Sequence, residues 1–141
     1  TTKSGSISGG KIVKISYKDV DFCLLDGIKS ADLKMHSQFD SGFMWEELKN
    51  CEVLVISELG DYADTKELIE RIKPQKIIFT RHYFRYQKDK IPTLMALEFP
   101  RIEYHRTLEN GAIICKTDGE KLDFDFTIRA ESINYRVTRK Q

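Results

Sequence analysis

The chain has 141 residues, and 40% of them are hydrophobic, which is enough for one domain with a substantial buried core. Lys and Arg number 23 against 22 for Asp and Glu. The net charge of +1 excludes a global attraction to nucleic acid, so any such binding must come from local patches. No apolar run reaches the length of a membrane span, and no signal-peptide pattern opens the chain.

The first segments predict a leader and a hairpin. Residues 1–10, "TTKSGSISGG", have the Gly/Ser/Thr composition of a flexible leader, to which we assign no fold. Residues 11–141 are predicted to form a single α/β domain. In residues 11–27, "KIVKISYKDVDFCLLDG", apolar residues flank a polar Lys18–Asp19 step and predict two hairpin strands, with Gly27 marking the exit.

A loop and a short helix are predicted for residues 28–50, with Ser41 as a cap before Met44, Trp45 and Leu48. The run "CEVLVIS", residues 51–57, is continuously apolar and β-branched after Glu52, which predicts a strand buried on both faces.

The segment after this strand predicts a βαβ unit. In "ADTKELIERI", residues 63–72, Leu68, Ile69 and Ile72 have helical spacing, and Asp64 or Thr65 is the predicted cap. Pro74 ends the helix, and "KIIFT" is the next strand. The two strands should be parallel, with a right-handed connection.

Three further elements are predicted downstream: a helix, "IPTLMALEF", begun by Pro92; a strand, "RIEYHRT"; and a hairpin around Asp118–Gly119. The segment "ESINYRVTRKQ" adds a predicted edge strand before a basic tail. These elements predict an α/β fold with a mixed sheet flanked by helices.

The spacing and sequence surroundings of the cysteines and histidines indicate structural roles for these residues. Cys23, Cys51 and Cys115 lie far apart in apolar stretches, which favours free, buried thiols over disulfides or a metal site. The histidines, His36, His82 and His105, lack the spacing of metal-ligand pairs, and His36 and His105 are expected to be structural rather than ligands. No nucleophile elbow or phosphate-binding loop is present, so we predict neither a catalytic residue nor a cofactor.

An acidic group follows the buried strand, where open α/β sheets place their ligands. It consists of Glu58, Asp61 and Asp64, to which Asp26 can be added from the end of the first hairpin. Carboxylates there can hold Mg²⁺ or act as a base. They are also ordinary helix caps, and we favour that interpretation.

Cations alternate with aromatic residues in "RHYFRYQKDK", residues 81–90. Such a mixture suits phosphate contacts and base stacking. Equally, the rings can cover the sheet while the cations are solvated or paired. Lys73, Lys76 and Arg101 lie nearby in the chain. The predicted nucleic-acid-binding residues are Arg81, His82, Arg85, Tyr86, Lys88, Lys90 and Arg106.

The order of segments resembles the C-terminal metallo-β-lactamase-like domain of the ComEC competence family, the DNA-uptake channel proteins. That family has phrases like "FLLTGD", a strand leading into "HHGS", a helix ending in "KP" before "IIS", and "YRTDxNGAIxxxTDG". The similar phrases here are "FCLLDG" (residues 22–27), "VLVISELGD" (53–61), "LIERIKPQKIIFT" (68–80) and "YHRTLENGAIICKTDG" (104–119). Residues 60–80 are also similar to the helix–strand joint of the β-CASP nucleases.

The chain departs from this family at the metal site. Glu58 and Leu59 stand where the family has its paired histidines, and Asp26 precedes its glycine instead of following it. The His-rich N-terminal half of the fold has no counterpart. The resemblance therefore implies half, or a degenerate form, of the metallo-β-lactamase fold without its di-zinc catalysis, and it implies a place within a larger membrane protein.

Three functions follow as hypotheses. The first is a non-catalytic domain that binds DNA, RNA or a protein partner through residues 81–90 and their neighbours. The second is a Mg²⁺- or Mn²⁺-dependent nuclease or hydrolase that uses Asp26, Glu58, Asp61 and Asp64. The third is an assembly module, because half of a sheet fold leaves an edge or a helix-free face that a homodimer or a partner would cover.

Overall fold

The computed structural model describes residues 1–7, 10–30, 45–58, 60–80 and 90–127. These residues form eight strands, three α-helices and a short 3₁₀ helix at Trp45–Leu48. The strands are β1 (Thr2–Ile7), β2 (Gly10–Tyr17), β3 (Val20–Asp26), β4 (Val53–Ile56), β5 (Lys76–Phe79), β6 (Glu103–Arg106), β7 (Ile113–Thr117) and β8 (Leu122–Phe126). The helices are α1 (Tyr62–Ile72), α2 (Ile91–Glu98) and α3 (Thr107–Asn110).

Strands β1 to β6 form one mixed sheet in which each strand lies beside its neighbour in the chain. The pairs β1–β2 and β2–β3 are antiparallel, whereas β3–β4, β4–β5 and β5–β6 are parallel. Strands β7 and β8 form a separate two-stranded sheet. The predicted α/β class with a mixed sheet is therefore confirmed.

The predicted first hairpin is confirmed as β2 and β3, which turn at Lys18 and Asp19. Lys18 has a positive φ of 51°, as the first residue of a tight hairpin turn often does. Gly27 follows β3 with a φ of 71°, a conformation that side-chain-bearing residues seldom adopt. The glycine therefore allows the chain to leave the sheet at this point.

The predicted βαβ unit is confirmed as β4, α1 and β5, with its strands parallel. Its capping residue differs from the prediction. Asp61, rather than Asp64 or Thr65, is the N-cap of α1, and its side chain accepts a hydrogen bond from the Asp64 backbone N–H at 2.8 Å. Lys73 closes the helix in the left-handed conformation before Pro74.

The second crossover connects β5 to β6 and contains α2. Both α2 and β6 were also predicted. Pro92 lies in the first turn of α2, where its missing N–H costs no helical hydrogen bond. The Tyr104 hydroxyl on β6 lies 2.9 Å from the carbonyl oxygens of both Met95 and Phe99, so its single hydrogen can be donated to either carbonyl at the helix end. Burial raises the pKa of Tyr104 to about 12, which keeps this donor protonated.

One face of the large sheet packs against the helices. Alternate strand residues point toward this face, among them Leu25, Ile56 and Phe79, and they join α1 and α2 in a single hydrophobic core. Cys23 and Cys51 are buried free thiols within it, as predicted, whereas Cys115 on β7 is half-buried. The buried leucine, isoleucine and methionine side chains of α1 and α2 all lie in this cluster. These two helices thus pack on the same side of the sheet.

The β7–β8 hairpin packs on the other face. His105 points away from Tyr104 and contacts the rings of Phe124 and Phe126, with centroid separations of 5.4 and 4.9 Å. At the hairpin turn, Gly119 has a φ of 99° and lies against the side chain of Lys18. The described structure therefore has three layers: helices, the six-stranded sheet and the small hairpin.

The prediction that residues 1–10 form a leader without a fold is wrong for Thr2–Ile7. These residues form β1, which pairs with β2 along its whole length. The pairing is made by backbone groups, and the Thr1 amino group donates to the Ser16 carbonyl at 2.8 Å. Composition alone missed this strand because a polar edge strand needs few apolar side chains.

Candidate nucleic-acid interface

The carboxyl ends of β3, β4, β5 and β6 meet at one edge of the sheet, because these four strands are parallel. We call it the carboxyl edge, and it is where Gly27, Ser57, Thr80 and Thr107 follow their strands. In open α/β sheets this edge is the usual place for ligands. Both predicted groups, acidic and basic, follow strands that end here.

Asp61 and Asp64 have structural partners at this edge. Asp61 caps α1, as described above. Asp64 Oδ1 accepts hydrogen bonds from Ser30 N at 2.7 Å and from Ser30 Oγ at 2.8 Å, and it therefore fixes the chain beyond β3 to α1. Ser30 Oγ also lies 2.9 Å from Glu67 Oε2. The capping interpretation of this acidic group is confirmed for Asp61.

Asp26 and Glu58 complete the acidic candidates. Asp26 is the exposed last residue of β3, and Glu58 lies beside Gly27. Among the described residues, no three His, Cys, Asp or Glu side chains converge as a metal site would require. The four predicted carboxylates are therefore not brought together as one donor set.

Two of the predicted nucleic-acid-binding residues are described, and both lie at the carboxyl edge. Lys90 is the exposed N-cap residue of α2. Arg106 ends β6 with a half-buried side chain, and its backbone N–H donates to Asn110 Oδ1 at 3.3 Å. Asn110 belongs to α3, a short helix that was not predicted.

The remaining predicted contacts lie outside the described residues: Arg81, His82, Arg85, Tyr86 and Lys88. The segment that carries them connects Thr80, directly after β5, to Lys90, at the start of α2. The Thr80 carbonyl accepts a hydrogen bond from Thr107 Oγ1 at 2.8 Å, so the start of the segment is held beside the end of β6. Thr80 is thus fixed at the carboxyl edge, and Lys90 begins the helix that leads back from this edge to the start of β6.

Three other cations in this part of the chain, Lys73, Lys76 and Arg101, lie away from the carboxyl edge. Lys76 begins β5 and forms an ion pair with Glu103 at 2.8 Å, while its Nζ lies 5.3 Å from the centre of the Phe124 ring. Lys73 and Arg101 precede β5 and β6, so they lie at the opposite, amino end of the strands. Proximity in the chain therefore grouped cations that the fold separates.

His105 has the structural role that its sequence context predicted. Its ring packs against Phe124 and Phe126, and its Nε2 lies 2.9 Å from Glu103 Oε2. His36 and His82 lie outside the described residues.

A groove between α1 and residues 99–102 was missed by the sequence analysis. It has a volume of about 600 Å³ and an apolar floor that includes Ile69, Phe99 and Ile102. Its charged residues include Lys73 and Arg101. These two cations come from different crossovers, so no local motif could have paired them.

No family model, curated protein or solved structure matches this chain. The fold places the protein in the α/β class, with a six-stranded mixed sheet. Within the described ranges, none of the helices has the length and apolar character needed to cross a membrane.

Proposed function

We propose that this domain is a non-catalytic binding module that holds nucleic acid at the carboxyl edge of its sheet. The binding residues are Lys90, Arg106 and those of the connecting segment, namely Arg81, His82, Arg85, Tyr86 and Lys88. The observation that supports the proposal is the location of Lys90, Arg106 and both ends of that segment at one edge of the sheet.

The chemistry of these residues suits a flexible polyanion. Arg and Lys neutralise phosphates, and aromatic rings stack on unpaired bases. A single strand exposes its bases for such stacking, so single-stranded DNA or RNA is the favoured ligand. The carboxylates of the same edge already cap α1 and bind Ser30, which favours binding over metal-dependent hydrolysis.

The resemblance to the metallo-β-lactamase-like domain of the ComEC family remains part of this proposal. Its support is the order of elements: a hairpin, a buried strand, a helix and a further strand follow one another as the similar phrases require.

The test is fluorescence anisotropy with a labelled single-stranded oligonucleotide at several salt concentrations. Affinity should fall as salt rises, because each neutralised phosphate releases counterions. The variant Arg81→Gln/Arg85→Gln should bind more weakly, with a salt slope reduced by about 1 to 2. The control Lys116→Gln/Lys121→Gln changes two exposed cations on the distant hairpin and should bind normally. Salt-independent binding, or equal losses in both variants, would contradict the proposal.

An exposed apolar sheet face favours a second candidate function, homodimer assembly. On the face opposite the helices, Val53 and Ile78 are 0% and 4% exposed. On the neighbouring strands, Ile15, Tyr17 and Leu24 of the same face are 42%, 49% and 37% exposed. The β7–β8 hairpin contacts His105 of β6 on this face and reaches Lys18 at the β2–β3 turn, while Ile15, Tyr17 and Leu24 form an apolar strip that remains exposed.

A second copy of the chain is the occupant that we propose for this strip. The strip consists of two aliphatic side chains and a tyrosine ring, with Lys18 Nζ 5.5 Å from the ring at one end. The same apolar strip on another copy has matching chemistry, and a two-fold axis pairs identical surfaces. Contiguous apolar patches of this kind are characteristic of interaction sites.

Light scattering over a concentration series tests the dimer. The variant Leu24→Lys should shift the protein to monomer, because it places a charge in the apolar contact. Leu108→Lys is the matched control, since Leu108 has a similar exposure of 44% but lies on α3. A wild-type protein that stays monomeric at the highest concentration would reject this function.

A further inference from the structure

The groove between α1 and residues 99–102 lies where α1 extends past the end of α2, since Glu98 at that end contacts Tyr62 and Lys66 of α1. Helix α1 has 11 residues and α2 has 8, so they extend about 16 and 12 Å. The last turn of α1 therefore lies beside an irregular segment instead of a second helix. This leaves a groove with a volume of about 600 Å³. Pockets that bind small organic molecules span roughly 300 to 1,000 Å³.

The groove surface is mainly apolar. Ile69 and Pro74 contribute to one side, and Phe99, Pro100 and Ile102 contribute to the other. Phe99 and Ile102 are only partly buried against the core, so part of each side chain remains available to a ligand. Such a surface suits the hydrocarbon or ring portion of a ligand rather than a sugar or a polyanion.

The two acidic residues of the groove are already paired with Lys66. The Lys66 ammonium lies 3.0 Å from Glu98 and 4.0 Å from Glu70. The Tyr62 hydroxyl also donates to Glu98, at 3.3 Å. The hydrogen bond from Lys66 to Glu98 holds the pKa of the Glu98 carboxyl below its ordinary value. Neither carboxylate is therefore an unpaired negative charge in the groove.

The two basic residues of the groove are not paired in this way. Lys73 and Arg101 both line it, and neither side chain forms an ion pair or hydrogen bond with any part of the chain that the structure describes. Lys73 also complements the dipole at the carboxyl end of α1. Arg101, which follows α2 by three residues, has no such role at the end of α1.

The region beside the groove adds more positive charge. A neighbouring polar pocket of about 410 Å³ shares Lys73 and Glu70 with the groove and is also lined by Lys49 and by Arg71, which pairs with Glu67 at 3.6 Å. Within the groove itself, the unpaired positive charge comes from Lys73 and Arg101, next to an apolar floor.

We propose that this groove binds a small organic anion with an apolar body, such as a medium-chain or aryl carboxylate. The apolar body lies on Phe99 and Ile102, and the carboxylate is held by Lys73 and Arg101. The groove lies at the amino end of the strands, away from the carboxyl edge. Binding here is consequently independent of nucleic-acid binding, and either proposal can fail alone.

The experiment compares three ligands with the same ten-carbon chain: decanoate, 1-decanol and decyltrimethylammonium. Decanoate and decyltrimethylammonium are titrated into ¹⁵N-labelled protein below their micelle concentrations, and 1-decanol below its solubility limit, while amide shifts are followed by NMR. Decanoate should produce saturable shifts at residues 69–74 and 98–102. The alcohol should bind more weakly, and the cation should produce no saturable shifts there.

Two variants test the charged contacts. Lys73→Gln and Arg101→Gln remove exposed cations without creating a cavity, and each should weaken decanoate binding about twofold to fivefold, as expected for a solvent-exposed charge pair. Lys121→Gln on the hairpin is the control and should leave the affinity unchanged. Equal binding of decanoate and decyltrimethylammonium, unchanged affinity in both variants, or no saturation by decanoate would each overturn the proposal.

Discussion

Glu103 connects the large sheet to the hairpin that packs on it. Its Oε2 atom lies 2.8 Å from Lys76 Nζ and 2.9 Å from His105 Nε2. Lys76 and His105 in turn contact the Phe124 ring of β8. A single carboxylate therefore orients two side chains on which the hairpin rests.

The pH dependence of this cluster follows from its charges. Partial burial disfavours the ionised form of Glu103, but hydrogen bonds from Lys76 and His105 outweigh it and hold the pKa below its ordinary value of 4.5. A lowered carboxyl pKa stabilises the folded state above the ordinary value, and the stabilisation is lost as the pH falls through the lowered one.

Glu103→Gln should therefore lower the free energy of unfolding at pH 7 by less than about 1 kcal/mol, because the side chain is half exposed. The difference from wild type should shrink by pH 3. Urea unfolding at both pH values measures it. The exposed Glu120→Gln serves as the control, and an equal loss in that variant would contradict the assigned role of Glu103.

At the residue scale, the sequence predicted which residues are buried better than it predicted which residues form hydrogen bonds with each other. The buried thiols Cys23 and Cys51 were predicted because each lies in an apolar run. The cap of α1 was placed at Asp64 or Thr65, whereas Asp61 caps it. Several neighbouring residues can cap a helix start, and only the backbone geometry decides among them. The bonds of Asp64 to Ser30 cross between distant segments, so no local pattern indicates them.

At the scale of elements, the start of α1 fixes the first crossover. Asp61 accepts from the Asp64 N–H, and its backbone carbonyl accepts from Thr65 N at 3.0 Å and Thr65 Oγ1 at 2.9 Å. Thr65 is fully buried, so its hydroxyl depends on this bond.

Asp61→Ala should lower the free energy of unfolding by about 1 kcal/mol, because a donor at the helix start loses its partner. Asp61→Asn keeps an accepting oxygen and should retain most of the stability. Denaturant unfolding monitored by circular dichroism distinguishes them. Equal losses in both variants would indicate that charge, rather than capping, explains the role of Asp61.

Strong periodicity explains which elements were predictable. Strand β4 is a continuous apolar run, α1 has a clear helical stripe, and the β7–β8 turn contains Asp–Gly. In contrast, β1 has a Gly/Ser/Thr composition, and α3 is a single turn of four residues. Tertiary pairing, which the sequence does not display, stabilises both.

At the scale of the whole molecule, the core thiols report on global unfolding. Cys23 and Cys51 lie in the same hydrophobic cluster, at 0% and 1% exposure. A hydrogen bond with Cys23, and then burial, raise the pKa of the Cys51 thiol. Burial also raises the pKa of Cys115, but that residue is half-buried on the hairpin.

Iodoacetamide should therefore modify Cys115 before Cys23 and Cys51 in native protein at pH 8, because thiolate and access are both required. With increasing urea, labelling of Cys23 and Cys51 should follow the unfolding transition monitored by circular dichroism. Peptide mass spectrometry gives the rate for each residue. Rapid native labelling of Cys51 would contradict the buried position of this thiol.

The candidate sites were only partly predictable, because they depend on how distant segments pack in the whole molecule. Lys90 and Arg106 were predicted to act together, and the parallel strands do place them at one edge. Lys73 and Arg101 became groove neighbours only through the packing of two crossovers. Surfaces built from distant segments require the fold before they can be recognised.

The sequential order of β1 to β6 bears on how the protein is made. As the chain emerges from the ribosome, each new strand can add to the edge left by the strand before it. Among β1 to β6, no strand must be inserted later between two others. Contacts between neighbouring segments shorten the conformational search, so this topology favours growth of the sheet during translation.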